Sequence, residues 1–212
     1  MPNQVYKFAM ELKPFEAEEE IKRLLLAQIS ADEILGSLQK AMIDACEKYH
    51  AGEFAIPHLW AVVTTFSMGY KLIKDRVKGG EKGKVLMGTL GSMHYIGKDI
   101  IKFLFMANGF EVRDLGENLL AEDYIDGIRE FNPDVIGVSI FLTNAIPSLR
   151  EIVEFMKKSS LRDRMKIIIG GVQANSEVAK KFDVDGWARD PKSALSLVNT
   201  LMDELKKVKR RG

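Results

Sequence analysis

From Glu18 to Val77 the apolar positions recur only at helical spacing. Ser30 followed by Glu33 is a capping-box signature, and Ile34, Leu38, Met42, Ala45, Cys46 and Tyr49 then repeat at intervals of three and four along one face. This predicts a helix ending near Gly52. A second long helix is predicted to open with Pro57 in its first turn and to carry Leu59, Val62, Val63, Phe66, Tyr70, Ile73 and Val77 in one stripe, with Trp60, Thr64 and Met68 on its other side. The segment KGGEKGK, Lys78 to Lys84, has glycines and charges but no period, and reads as a linker or domain boundary.

Beyond Lys84 short apolar runs alternate with helical patterns. The runs KVLMGTL, EVRDLG, DVIGVSIF, MKIIIGG and GWARD are predicted strands, the last a weak one. Between them lie helical patterns through Ile96, Ile100, Phe103 and Leu104, capped by Asn108-Gly109, then through AEDYIDGIREF, LREIVEFMKK and EVAKKF. A final helix starts at Pro191, with Asp190 as its N-cap. Strands apolar on both faces and alternating with helices imply a doubly wound α/β domain with a five-stranded parallel sheet, preceded by an N-terminal helical bundle.

Charge and cysteine content exclude more than they suggest. Thirty-one Lys and Arg against 30 Asp and Glu leave almost no net field, which gives no reason to expect nucleic acid as a partner. The basic C-terminal cluster, Lys206, Lys207, Lys209, Arg210 and Arg211, reads as a solvated last helical turn, with an anion-binding tail as the alternative. The single cysteine, Cys46, rules out an intramolecular disulfide framework and reads as a small buried hydrophobe. With no long apolar run to serve as a leader or span, the expectation is a cytoplasmic protein that does not enter a membrane.

In doubly wound sheets ligands bind beyond the carboxyl ends of the strands. Three unusual stretches fall there: GTLGSMHYIG after the first strand, SIFLTNA at the end of the third, and GGVQAN after the fourth. Glycines allow a ligand close to the backbone, and Ser139, Thr143 and Asn144 offer neutral hydrogen bonds. The glycines at 88, 91 and 97 are too far apart for a dinucleotide turn, and Lys98 is followed by Asp99 where a P-loop requires a hydroxyl. Ser139 has no glycine elbow, so a hydrolase triad has little support. His94 is left unexplained, because neither His50 nor His58 stands at a zinc-ligand spacing from it. Its bland reading is a solvated histidine at a helix start. Its functional reading is the single protein ligand of a metal that arrives already held in a macrocycle.

The order GSMHYIGKDI, NGFEVRDLG, DVIGVSIFLTNA, IIIGGVQANSEVAKKFDVDGWARDP resembles, over residues 84–212, the cobalamin-binding domain of methionine synthase and of methyltransferase corrinoid proteins. Residues 1–79, with EKYHAGEFAIPHLWAVVTTFSMGYKLI, resemble the helical cap domain that precedes it in those proteins. The family's D-x-H-x-x-G matches at His94 and Gly97, its S-x-L at Ser139 with Phe141 in place of leucine, and its glycine pair at Gly170 and Gly171. The resemblance implies cobalamin as cofactor, with corrin over the carboxyl ends of the strands and His94 as the ligand to cobalt. Ser92, Met93, Tyr95, Ile96 and Gly97 would surround that histidine, with Phe141 and Thr143 nearby. The nucleotide tail would lie in a slot, hydrogen-bonded by Ser139 and lined by Gly170 and Gly171. Trp60 and Met68 are candidate cap contacts, although core packing is the commoner fate of such residues.

One departure concerns the ligand directly. The family's aspartate is Ser92 here, which can accept the second ring N–H of His94 but brings no charge, so weaker ligation is expected. By resemblance the chain is a corrinoid carrier, shuttling a methyl group through Co(I) and methyl-Co(III) between a substrate methyltransferase and an acceptor methyltransferase. A reductive activase is a further candidate partner, and KGGEKGK a candidate hinge for uncovering the cobalt. The alternative is a cobalamin-dependent sensor or storage protein without methyl transfer.

Overall fold

The computed structural model describes residues 3–77 and 81–209, except for the side chains of the last two. The chain forms two compact units, Met1–Gly79 with Phe103–Asn108, and Gly80–Lys102 with Gly109–Gly212. The boundary falls in the glycine-rich segment, but the second half of one helix of the α/β region groups with the helical residues.

The first unit contains α1 (Asn3–Met10), α2 (Pro14–Leu26), α3 (Ala31–His50) and α4 (Ile56–Ile73). Helices α1 and α2 were not separately apparent in the sequence pattern. The cap of α3 forms as the spacing requires: Ser30 Oγ accepts from the Glu33 N–H at 3.2 Å and meets the Glu33 carboxylate at 3.1 Å. Its stripe Ile34, Leu38, Met42, Ala45 and Cys46 is buried, as are Leu59, Val62, Val63, Phe66 and Ile73 of α4. Burial pushes the Cys46 thiol up to about 12, which keeps it a neutral apolar group. Val77 lies outside α4. The helix stops at Ile73 and the exposed, charged residues Lys74–Arg76 form a single 3-10 turn, since they present nothing to bury and a tightened last turn takes up the loose carbonyls. His58 reaches back from α4, its Nδ1 accepting the Ala55 N–H at 2.9 Å, so this imidazole serves as a cap.

The second unit is a five-stranded parallel sheet in the order β2-β1-β3-β4-β5, made of β1 (Lys84–Leu90), β2 (Glu111–Asp114), β3 (Val135–Ile140), β4 (Lys166–Gly170) and β5 (Gly186–Trp187). The connecting helices are α5 (Ile96–Ala107), α6 (Ala121–Phe131), α7 (Ile146–Lys158) and α8 (Ser176–Phe182), followed by α9 (Pro191–Lys209). Right-handed crossovers put α6, α7 and α8 on one face and α5 on the other, because strand order reverses at β1. Leu86, Leu90, Ile136, Val138, Ile140, Ile167 and Ile169 form one core with Tyr124, Ile128, Leu149, Ile152 and Phe182 from the first group of helices. The predicted strand GWARD is shorter than its pattern: pairing continues only to the Ala188 N–H, which donates to Ile169 O at 2.9 Å, and Asp190 then caps α9 by accepting the Ser193 N–H at 2.8 Å.

Lys78, Gly79 and Gly80 of the predicted linker lie outside the described residues. Its second half is fastened to the sheet: the Lys82 N–H donates to Gly109 O at 3.2 Å and Gly83 O accepts the Glu111 N–H at 3.0 Å. In the C-terminal basic cluster Lys206 and Lys207 are exposed, whereas the side chain of Lys209 and all of Arg210 and Arg211 lie outside the described residues. Among the described residues no helix is long and apolar enough to cross a membrane.

Candidate functional site

The carboxyl ends of the strands form an apolar rim. After β1 the chain turns at Gly91, whose φ of +56° is costly for a residue with a Cβ, and runs through Ser92–Tyr95 into α5. This loop is stitched to the one after β2: the Gly91 N–H donates to Leu119 O at 3.0 Å, and Ser92 O accepts the Asn118 N–H at 2.9 Å. Ser92 is buried, while Met93, His94, Tyr95, Ile96 and Gly97 are exposed. With Leu142 after β3, Val172 after β4 and Trp187 on β5, they give the rim large apolar groups facing solvent. Exposed apolar surface gathered at one end of a sheet is a binding surface rather than scatter.

Within it, one imidazole is held on two sides. Ser92 Oγ lies 2.8 Å from His94 Nδ1 and accepts the His94 backbone N–H at 3.2 Å. The Phe141 ring stacks on the imidazole, with centroids 3.6 Å apart and planes 7° from parallel. When the ring proton is on Nδ1 and donated to Ser92, Nε2 keeps its lone pair. Among the predicted residues, Ser92, His94 and Phe141 are therefore in one contact group. Thr143 is exposed in the 3-10 turn Thr143–Ala145.

Ser139 is half-buried inside β3, in register with Thr89 on one side and Gly170 on the other. Gly170 tolerates a methyl group sterically, since an added Cβ would meet Ala188 O at an ordinary 3.6 Å. Gly171 does not: its φ is +92° and a Cβ would lie 2.5 Å from Ile140 O. Backbone closeness between the ends of β3 and β4 is thus reason enough for glycine at 171.

A charge cluster that no sequence motif announces lies at the base of the rim. Lys98, one turn into α5, has a fully buried side chain whose Nζ contacts Asp114 at 2.6 Å, Asp99 at 2.8 Å and Glu117 at 3.4 Å. Lys102, one turn further on, reaches Asp99 at 3.0 Å and Asp114 at 2.8 Å, and Asp114 also accepts the Gly116 N–H at 3.0 Å. Burial disfavours the Asp114 carboxylate, but hydrogen bonds from Lys102, Lys98 and Gly116 outweigh it and hold its pKa below the ordinary range. Burial likewise pulls Lys98 down, and Asp114 and Asp99 more than compensate, so it titrates above an ordinary lysine. The spacing Lys98, Lys102 on one helical face was the available signal, and Asp114 at the strand end its partner. The cluster locks the start of α5, and so the His94 loop, to β2.

The donor set suits a cobalt macrocycle: one imidazole with an oriented Nδ1, a broad apolar rim, and neutral hydroxyls rather than a phosphate cradle beneath it. The comparisons agree. A family model for the B12 binding domain matches residues 83–196. The dimethylamine corrinoid protein 3 of Methanosarcina mazei is 30% identical over 160 residues, covering 73% of this chain and 96% of that protein. A cobalamin-binding protein from Desulfitobacterium hafniense, solved by crystallography, is 27% identical with a TM-score of 0.71, over 95% of this chain and 98% of that one. The methanol:cobalamin methyltransferase complex of Methanosarcina barkeri contains a chain with a TM-score of 0.80 at 19% identity, over 94% of this chain and 78% of that one, a likeness of fold.

Proposed function

The chain belongs to the B12-binding domain family and its cofactor is cobalamin, and we propose that it acts as the corrinoid carrier of a methyltransferase system, with His94 as the protein ligand to cobalt. When bound, the corrin supplies a cobalt that takes up and releases a methyl group. The observation that carries the assignment is the His94 group itself: an exposed imidazole at the apolar rim, its Nδ1 occupied by Ser92 and its Nε2 available.

Each residue around it has a task. Ser92 anchors Nδ1 without adding charge, so it orients His94 but polarises it less than a carboxylate would. Phe141 fixes the plane of the ring from one side. Ser139 offers a hydroxyl to the nucleotide arm of the cofactor, and Gly170 and Gly171 border its path. Met93, Tyr95 and Ile96 give apolar surface to the corrin edge. Methyl donor and acceptor chemistry is left to partner methyltransferases, in line with relatives named dimethylamine corrinoid proteins.

The test has two stages. Apo-protein mixed with hydroxocobalamin and passed through a gel-filtration column elutes coloured, with cofactor in equal amount to protein. The reduced protein is then offered methylamines or methanol together with a cognate methyltransferase, and transfer of label to the protein-bound corrinoid is followed. Bound cofactor without any labelled methyl group, across the donors and partner enzymes tried, would point to storage or sensing instead.

A further inference from the structure

Thr89 is fully buried in β1, and among the described residues its Oγ1 is the one buried side-chain N or O atom without a hydrogen-bond partner. A lone buried hydroxyl is costly, and native structures seldom retain one without a use for it. Its position supplies the use. Along β1, Leu86 and Leu90 point into the core under α6 and α7, and a Cβ on Gly88 would run into Leu119 and Tyr124 of that same side. Side chains alternate, so Thr89 points to the opposite face. Ser139 alternates with Val138 and Ile140, and Gly170 with Ile169, in the same sense. Register then places Thr89 beside Ser139 and Ser139 beside Gly170, on three adjacent strands at one level, one residue from the carboxyl end of β1 and β3. Neighbouring strands are about 4.8 Å apart, so one ligand arm passing along this face can meet both hydroxyls.

We propose that the Thr89 hydroxyl is a cofactor-binding group, the second hydrogen-bond partner beside Ser139 for the nucleotide arm of cobalamin. The assignment rests on the cobalamin site proposed above. It explains why a buried hydroxyl without a protein partner stands in β1. A hydroxyl can donate or accept, so it can pair with the ribose, phosphate or base nitrogen of that arm.

Thr89→Val keeps the shape and removes the hydroxyl. Three measurements on the full chain separate the alternatives: thermal unfolding of the apo-protein, equilibrium binding of cobalamin, and equilibrium binding of cobinamide, which lacks the nucleotide. The expected pattern is crossed. Apo Thr89→Val is as stable as wild type or more so, binds cobalamin about five-fold more weakly, and binds cobinamide unchanged. Thr89→Ser, which keeps the hydroxyl, restores the preference for cobalamin. Unaltered cobalamin binding by Thr89→Val would overturn the proposal and leave the hydroxyl a packing defect. Equal weakening toward both corrinoids would overturn it too, by showing a general effect on the rim. Failure of the wild-type protein to take up either corrinoid would instead remove the site itself, and the proposal with it.

Discussion

The two faces of the sheet follow different rules. Under α6, α7 and α8 the face is apolar along its whole length, and the one hydroxyl placed in its centre, Tyr124 Oη, donates toward Gly88 O at 2.7 Å and Gly137 O at 3.0 Å. Burial, the charge of Asp114 and its distance from water hold that phenol well above its ordinary pKa, so it remains a neutral donor. The opposite face carries Thr89 unpaired and Ser139 half-buried, and rises to an exposed histidine at the rim. A face that only has to hold the fold can satisfy every polar atom internally. A face that receives a ligand must keep some of its bonding capacity unspent, and stability has to come from elsewhere, here from the first face and the Lys98 cluster.

The sharpest test of this contrast is at the rim. With cobinamide, which has no nitrogen base of its own, reduced to the Co(II) form, electron paramagnetic resonance should show nitrogen hyperfine coupling from the imidazole in wild type and none in His94→Ala; identical signals would assign the nitrogen to another donor. Next comes the charge cluster. Lys98→Met leaves the half-buried Asp99 and Asp114 to Lys102 alone and should cost about 1.5–3 kcal/mol in denaturant unfolding. Its pH dependence follows from the two shifts. The low pKa of Asp114 stabilises the fold fully above the ordinary carboxylate value near pH 4, and this is lost as pH falls through the lower folded value. The raised pKa of Lys98 contributes fully below about pH 10.4 and is lost as pH rises through the higher folded value. The gap between wild type and Lys98→Met should therefore be flat between those limits and close outside them.

Smaller effects refine the same comparison. Ser92→Asp restores a charged partner to His94 and should strengthen axial ligation by about 10-fold or more, seen as a more persistent nitrogen coupling during spectroscopic titration with a competing ligand. No change would mean that the Phe141 stack, not the Ser92 hydroxyl, sets the ligand's orientation. On the other face, Tyr124→Phe should lower stability by about 1 kcal/mol while leaving cobalamin affinity untouched. A loss of affinity there would show that the two faces are not independent.

Much of this was legible before folding was considered. The Ser30 cap, the α3 stripe, four strands to within two residues of their ends and the Asp190 cap all follow from local chemistry, because each depends on residues a few positions apart. The last strand was overextended, since Ala188, Arg189 and Asp190 look extended but have a helix to start. Val77 was misplaced for the converse reason: a stripe continues on paper after the helix has run out of anything to bury. The candidate site residues His94, Ser139, Gly170 and Gly171 stand out in the sequence by their positions at strand ends and by family resemblance. Lys98 and Thr89 do not. Neither has an unusual neighbour in sequence, and both matter through partners 16 residues away for Lys98, or through the absence of one for Thr89.

Local spacing was enough to determine α3, most of α4, four of the five strands, the α/β architecture and the residues brought to the open end of the sheet, since helix and strand periods and end caps are short-range effects. Which hydroxyls share one face of the sheet, which carboxylates share a lysine and which ring lies against His94 had to await the folded chain. Those relations depend on strand register and crossover hand, which join positions that are remote in sequence and leave no periodic trace in it.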